Sequence, residues 1–178
     1  MGELRFDILG CGAAVQYHAA AIRATEGAEL ICACGSTAES TERFSKEQGC
    51  RIAASVREVL PDPELDVITL CTPSGLHAEE TLAVFEAGKH LLIEKPIAIR
   101  PQDADHILAV AESSGRTMGV ISQMRFSDAA QEIRAAIQMG VLGKLVSAAL
   151  TMRYEQSQAY YDSGTWRGTL TMDGGGKS

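Results

Sequence analysis

Several things are scarce in these 178 residues, and each scarcity removes a class of protein. No apolar run approaches the roughly 18 residues that a membrane-crossing helix needs. No basic segment followed by an apolar stretch opens the chain, so a secretion signal is not expected and a cytoplasmic setting is. The net charge is −7, and basic residues form no block. Nucleic acid and an anionic membrane are therefore not the expected partners. Aromatic residues make up only 5%, so the core must be built from Ala, Val, Ile and Leu. There are five cysteines, Cys11, Cys32, Cys34, Cys50 and Cys71, and only one close pair, Cys32 and Cys34. A zinc site needs a second group of ligands, which is missing. The cysteines read as reduced thiols that serve as small apolar side chains.

What is present is an ordinary globular composition, 46% hydrophobic and 22% charged, arranged as short apolar runs alternating with longer helical stretches. The pattern predicts strands over Leu4–Leu9, Glu29–Cys34, Arg51–Ala53, Asp66–Thr72, His90–Glu94 and Thr117–Ser122. Helices are expected from Ala13 to about Thr25, from Ser36 to near Gly49, over Leu76–Ala87 and over Pro101–Ser114. Two capping boxes are expected, Ser36 with Glu39 and Ser55 with Glu58, the second opening a short turn that ends at Leu60. Six strands separated by helices predict an α/β fold, a doubly wound parallel sheet covered on both faces. Beyond it, Ser127–Met139 reads as an amphipathic helix and Lys144–Tyr154 as a long alternating strand. A polar, Gly-rich stretch follows. The expected division is a Rossmann domain over 1–123 and an incomplete α+β second domain over 124–178.

Four stretches carry chemistry. Gly10-Cys11-Gly12 lies between a strand and a helix, with Ala13 and Ala14 completing the turn. Gly10 suits a tight turn, and Gly12 lets backbone approach a pyrophosphate at a positive helix end. Val15 stands where such loops usually carry Gly or Ala, and a plain strand-to-helix turn remains open. About 20 residues further on, an acidic group would be expected for the adenosine ribose hydroxyls. Gly35-Ser36-Thr37 stands there instead, which removes repulsion toward a 2′-phosphate and leans the cofactor to NADP over NAD. Ser36 could equally be only a helix cap. Glu94-Lys95-Pro96 ends a strand on the ligand edge of such a sheet, where a lysine can stabilise charge developing on oxygen. A solvated surface lysine is the plain alternative. Cys71-Thr72-Pro73 with His77 ends another strand, and His77 taken alone reads as an ordinary helix-start histidine before it reads as a catalyst. His18, His90 and His106 read as structural or surface residues.

Taken together, these residues resemble the Gfo/Idh/MocA oxidoreductases. The similarity runs through the glycine loop with His18, Asp66 to His77, Gly88-Lys89-His90 to Glu94-Lys95-Pro96, Gly119 to Phe126, and Trp166-Arg167-Gly168. The resemblance implies an NAD(P)-dependent hydride transfer at a hydroxyl or carbonyl carbon of a sugar, cyclitol or related polyol. It implies Lys95 as the catalytic group near the reacting oxygen. Thr72, Pro73, His77 and Glu94 would line the cofactor crevice, and Arg125, Trp166 and Arg167 would lie near the nicotinamide. It also implies a small-molecule substrate and a homo-oligomer formed through the C-terminal sheet. Family members are roughly twice this length, and they carry a His-containing motif after the Gly-rich segment that has no counterpart here. The chain is therefore expected to be a truncated enzyme. The alternatives are a nucleotide-binding module without catalysis and a protein that associates through Lys144–Tyr154.

Overall fold

The computed structural model describes residues 3–12 and 14–175. Its described residues divide into two compact units. One runs to Ile121 and takes in the residues from Trp166 on; the other is Ser122–Thr165.

The first unit is a six-stranded sheet: β1 (Leu4–Leu9), β2 (Ala28–Cys34), β3 (Arg51–Ile52), β4 (Val67–Leu70), β5 (His90–Glu94) and β6 (Met118–Ile121). The strands lie in the order β3-β2-β1-β4-β5-β6, and every pairing is parallel. This is the doubly wound arrangement, and the order reverses between β1 and β4. The connecting helices are α1 (Val15–Ala24), α2 (Ala38–Gln48), α3 (Val56–Val59), α4 (His77–Glu86) and α5 (Pro101–Ser114). Alternation along the strands divides the core. Ile8 and Ala33 pack with Val15, Ala19 and Ile22 of α1 and Phe44 of α2. Leu9, Cys32, Ile68, Leu70 and Ile93 pack with Val84 and Phe85 of α4. Buried strands with both faces covered explain why the runs read as continuously apolar.

One buried residue breaks that rule. Asp7, in mid-β1, is 0% exposed, and its register partners are Cys32 and Ile68. Neither carboxyl oxygen has a hydrogen-bond partner of good geometry among the described residues. Loss of water pushes its pKa up to about 7, against weaker lowering by the Cys32 thiol and the more distant Arg51.

Several sequence expectations need correction. Helix α2 begins one residue later than a Ser36 cap requires. Thr37 is the cap, its Oγ1 accepting from the Ser40 N–H at 3.2 Å. Ser55 makes no side-chain cap to α3, although the Glu58 carboxylate still reaches back, to the Ala54 N–H at 2.9 Å. Strand β4 is shorter than 66–72, and a 3-10 turn over Ser74–Leu76 precedes α4. The five cysteines are free; Cys32, Cys34 and Cys50 are buried, and Cys11 and Cys71 are half-buried. Among the described residues no group of three metal-ligating side chains forms, and no helix is long and apolar enough to cross a membrane.

The second unit holds a 3-10 turn over Gln123–Phe126, then α6 (Asp128–Gln138) and α7 (Gln158–Asp162). The Ser127 hydroxyl caps α6 through the Ala130 N–H. The long strand expected over Lys144–Tyr154 does not form. Alternating side chains supply only a face; a strand also needs a neighbour for its N–H and C=O groups, and this segment has none among the described residues. In the Gly-rich stretch, where no element was expected, α8 (Leu170–Asp173) forms, capped by Thr169 and ended by the left-handed Gly174.

Candidate functional site

Because every strand points the same way, the carboxyl ends of β1, β2, β4 and β5 meet on one edge, at the switch point where such sheets hold ligands. The residues singled out after each of those strands stand there: Gly10 and Gly12, Gly35 to Thr37, Thr72-Pro73, and Glu94-Lys95.

Gly10 and Gly12 answer different needs. Gly10 has φ +97°, and a Cβ there would stand 2.5 Å from the Cys71 carbonyl oxygen. Its N–H donates to Cys34 O at 2.7 Å, and the Cys71 N–H donates to Leu9 O at 2.7 Å. The turn is thus wedged between the ends of β2 and β4. Gly12 is exposed, and a Cβ there would meet nothing within 4 Å. The vacant space lies before the start of α1, which has no side-chain cap and no acidic residue in its first turn. An anion held by N–H groups and the helix dipole fits that description, so the loop suits a dinucleotide pyrophosphate. Ala14 stands at the cap position, and Ala13 lies outside the described residues.

After β2, Gly35 is closed in. A Cβ would come 2.5 Å from Thr41 Oγ1 and 3.0 Å from Cys11 Cβ. Thr41 Oγ1 accepts the Gly35 N–H at 3.0 Å and donates to Thr37 O at 2.8 Å. An acidic side chain at position 35 would have to displace this arrangement. Ser36 and Thr37 are exposed beside it.

After β4, the Thr72 hydroxyl donates to Glu80 of α4, whose carboxyl is pushed above its ordinary range by burial. His77 is 1% exposed; its Nδ1 lies 2.7 Å from Pro96 O and its Nε2 3.0 Å from Thr72 O. At the end of β5, Glu94 Oε1 lies 2.8 Å from Nε2 of His18, a residue of α1 that is itself buried. That contact, more than the partial burial opposing it, holds the Glu94 carboxyl below the ordinary range. Lys95 is exposed, and its side chain makes no hydrogen bond or ion pair among the described residues, while its backbone N–H and its charge add to the lowering of the Glu94 carboxyl. The Lys95–Pro96 bond is cis.

Trp166 and Arg167 belong to the first unit, with the Arg167 guanidinium 4.7 Å from the centre of the Trp166 ring. The segment they open packs against the turn after β4: a Cβ on Gly75 would stand 2.5 Å from Thr171 O. Arg125 is exposed on the 3-10 turn of the second unit. Sequence reasoning missed the two buried contacts of the site. His18 and Glu94 are 76 positions apart, and the pattern of the glycine loop with His18 gives no sign that the histidine meets Glu94. Glu80 likewise looks like a solvated first-turn acid.

This edge defines a dinucleotide-binding α/β domain. The model of the Gfo/Idh/MocA oxidoreductases, described as an oxidoreductase family with an NAD-binding Rossmann fold, matches residues 4–122, and the chain belongs to that family. It is 34% identical over 146 residues to 1,5-anhydro-D-fructose reductase of Ensifer adhaerens, covering 81% of this chain and 44% of that protein. It is 29% identical over 153 residues to D-glucoside 3-dehydrogenase of Escherichia coli K12, covering 84% and 44%. In structure it is similar to the WlbA dehydrogenase of Bordetella pertussis, solved in complex with NADH and UDP-GlcNAcA. There the TM-score is 0.93 and the identity 29%, over 97% of this chain and 52% of that one. The chain thus spans about half the length of the curated relatives it matches.

Proposed function

We propose that the protein works as an NAD(P)-dependent dehydrogenase on a hydroxyl or carbonyl carbon of a sugar, cyclitol or related polyol. The observation that carries this reading is Lys95: an exposed, unpaired ammonium at the end of β5, on the same sheet edge as the open glycine loop. When bound, the nicotinamide supplies the hydride acceptor or donor. Gly12 and the start of α1 hold the pyrophosphate, with Ala14 beside it. Thr72, Pro73, His77 and Glu94 shape the crevice floor. Lys95 faces the substrate oxygen, where its positive charge stabilises the oxygen as it loses or gains its proton. Trp166 and Arg167 serve the nicotinamide end. The related sugar reductase and dehydrogenase support a polyol or sugar substrate.

For the cofactor we favour NADP(H). No acid stands where the ribose hydroxyls would be bound, and the crowding at Gly35 leaves an acidic side chain no room there. The WlbA relative was solved with NADH, so the discriminating experiment is a direct comparison. Trp166 is the sole tryptophan, and energy transfer from it to a reduced nicotinamide reports binding. NADPH is expected to bind at least about tenfold more tightly than NADH, a difference of about 1.4 kcal/mol. Equal affinities would remove the preference, and absence of binding by either would remove the cofactor reading. Turnover is then followed as nicotinamide reduction with a panel of sugars and inositols, and Lys95→Met is expected to abolish it while leaving nucleotide affinity within a factor of about three. The domain division at 123/124 and association through the C-terminal part belong to the same reading.

A further inference from the structure

The turn that carries Lys95 is held at both ends by histidines from different helices. On one side His18 of α1, 6% exposed, lies against Glu94 Oε1 at 2.8 Å. On the other, His77 of α4 lies against Pro96 O at 2.7 Å. The two helices cover opposite faces of the sheet, α1 with Ile8 and Ala33 and α4 with Leu70 and Ile93. The side chain of Lys95, between the two held residues, is exposed and in no hydrogen bond or ion pair among the described residues.

This arrangement raises a physical problem that His18 solves. Glu94 is a carboxylate one residue away from an ammonium that must stay available. The Lys95 N–H already serves the carboxylate, and with no side-chain donor beside it a half-buried carboxylate would draw the ammonium into an ion pair. The His18 N–H occupies Oε1 and turns the carboxylate toward α1. We propose that His18 is a positioning residue that keeps Glu94 off Lys95, leaving the Lys95 ammonium free to face the substrate oxygen. The role of Lys95 rests on the reading given above; the coupling of His18, Glu94 and Lys95 does not.

The test follows the titration of Lys95 in the full chain. Its amine is reductively methylated with carbon-13 formaldehyde, and the signal is assigned by its loss in Lys95→Arg. In His18→Leu the midpoint is expected to rise by about one pH unit as Glu94 captures the ammonium. In His18→Leu with Glu94→Gln it is expected to return to the parent value. A midpoint that stays put in a folded His18→Leu protein overturns the proposal. So does a rise that persists in the double variant, because a merely structural disturbance would not be rescued by removing the carboxylate. Glu94→Gln alone keeps His18 and gives an answer even if His18→Leu does not fold. It should lower the midpoint by a few tenths of a unit at most. A fall of a full unit would mean that Glu94 already pairs with Lys95 in the native protein, and would overturn the proposal. Failure of Lys95→Met to affect turnover would remove the catalytic reading of Lys95 without touching these titrations.

Discussion

The sheet unit and the 122–165 segment use similar apolar residues under opposite conditions. In the sheet unit Ile8, Ile68, Leu70 and Ile93 are at most 1% exposed, and each stands on a strand paired on both sides. In the segment, Val146 is 92% exposed, Leu150 86% and Tyr154 71%, and they form no strand. The alternating pattern of Lys144–Tyr154 is as regular as that of β1. What differs is the supply of neighbours. β2 and β4 satisfy the backbone of β1, while helices α1 and α4 cover its two faces. A period-2 pattern therefore states which face a strand would bury, and only a partner makes it a strand.

Close packing in the sheet unit means that small changes there should cost a great deal. The largest expected effect is at the glycine loop. In Gly10→Ala the new Cβ meets the Cys71 carbonyl at 2.5 Å, in a backbone conformation with φ +97° that L side chains rarely adopt. The combined strain and overpacking should cost about 4 kcal/mol in urea unfolding. Gly12→Ala is the companion, since its Cβ meets nothing within 4 Å. Its stability should stay within about 0.5 kcal/mol of the parent, while NADPH affinity drops at least about tenfold because the methyl group fills the anion space. Equal stability losses in the two variants would show that the two glycines share one structural role.

Next comes Asp7, the place where the sheet unit departs from its own packing rule. Its carboxyl pKa is about 7 when folded and 3.8 by its ordinary value. Between these the native state keeps a proton that the unfolded chain has released, so this group's contribution to stability falls as pH rises from about 4 to about 7 and is flat above. Three pH units correspond to an upper bound of about 4 kcal/mol. Asp7→Val should therefore be more stable than the parent by about 3 kcal/mol at pH 8, with the gap closing toward pH 4. Thermal unfolding at the two pH values checks this; a gap independent of pH would mean that ionisation of Asp7 is not the cause.

How much of this was legible beforehand follows the same division. All six strands and the helices between them could be read from the alternation of apolar runs and glycine-terminated helices, because each signal is local. The placement of Gly10, Gly12 and Lys95 on one sheet edge was legible for the same reason: a glycine pair after a strand, and a lysine at a strand end. The Ser36 cap was misplaced by one residue because Ser36 and Thr37 are both good caps, and only the actual start of α2 chooses between them. The His18–Glu94 contact was invisible because it joins distant parts of the chain through the fold. The strand over Lys144–Tyr154 was over-read because sequence periodicity carries no information on whether a neighbour exists.

The smallest expected stability effect lies in that segment, and it sharpens the comparison most. Val146 and Leu150 are almost fully solvated, so replacing both with Ser removes little buried apolar area. The unfolding free energy of the sheet unit should change by less than about 0.5 kcal/mol. An apolar segment whose backbone groups lack partners is, however, a template for pairing with another chain. We therefore expect the parent chain to self-associate at high concentration and the double variant Val146→Ser with Leu150→Ser to do so far less. Light scattering over a concentration series decides it. If the parent is a monomer throughout, water alone satisfies the segment, and the contrast between the two regions is one of packing only. If parent and variant associate equally, the contact lies elsewhere, and α6, with Ile133 59% and Ile137 44% exposed, becomes the face to alter.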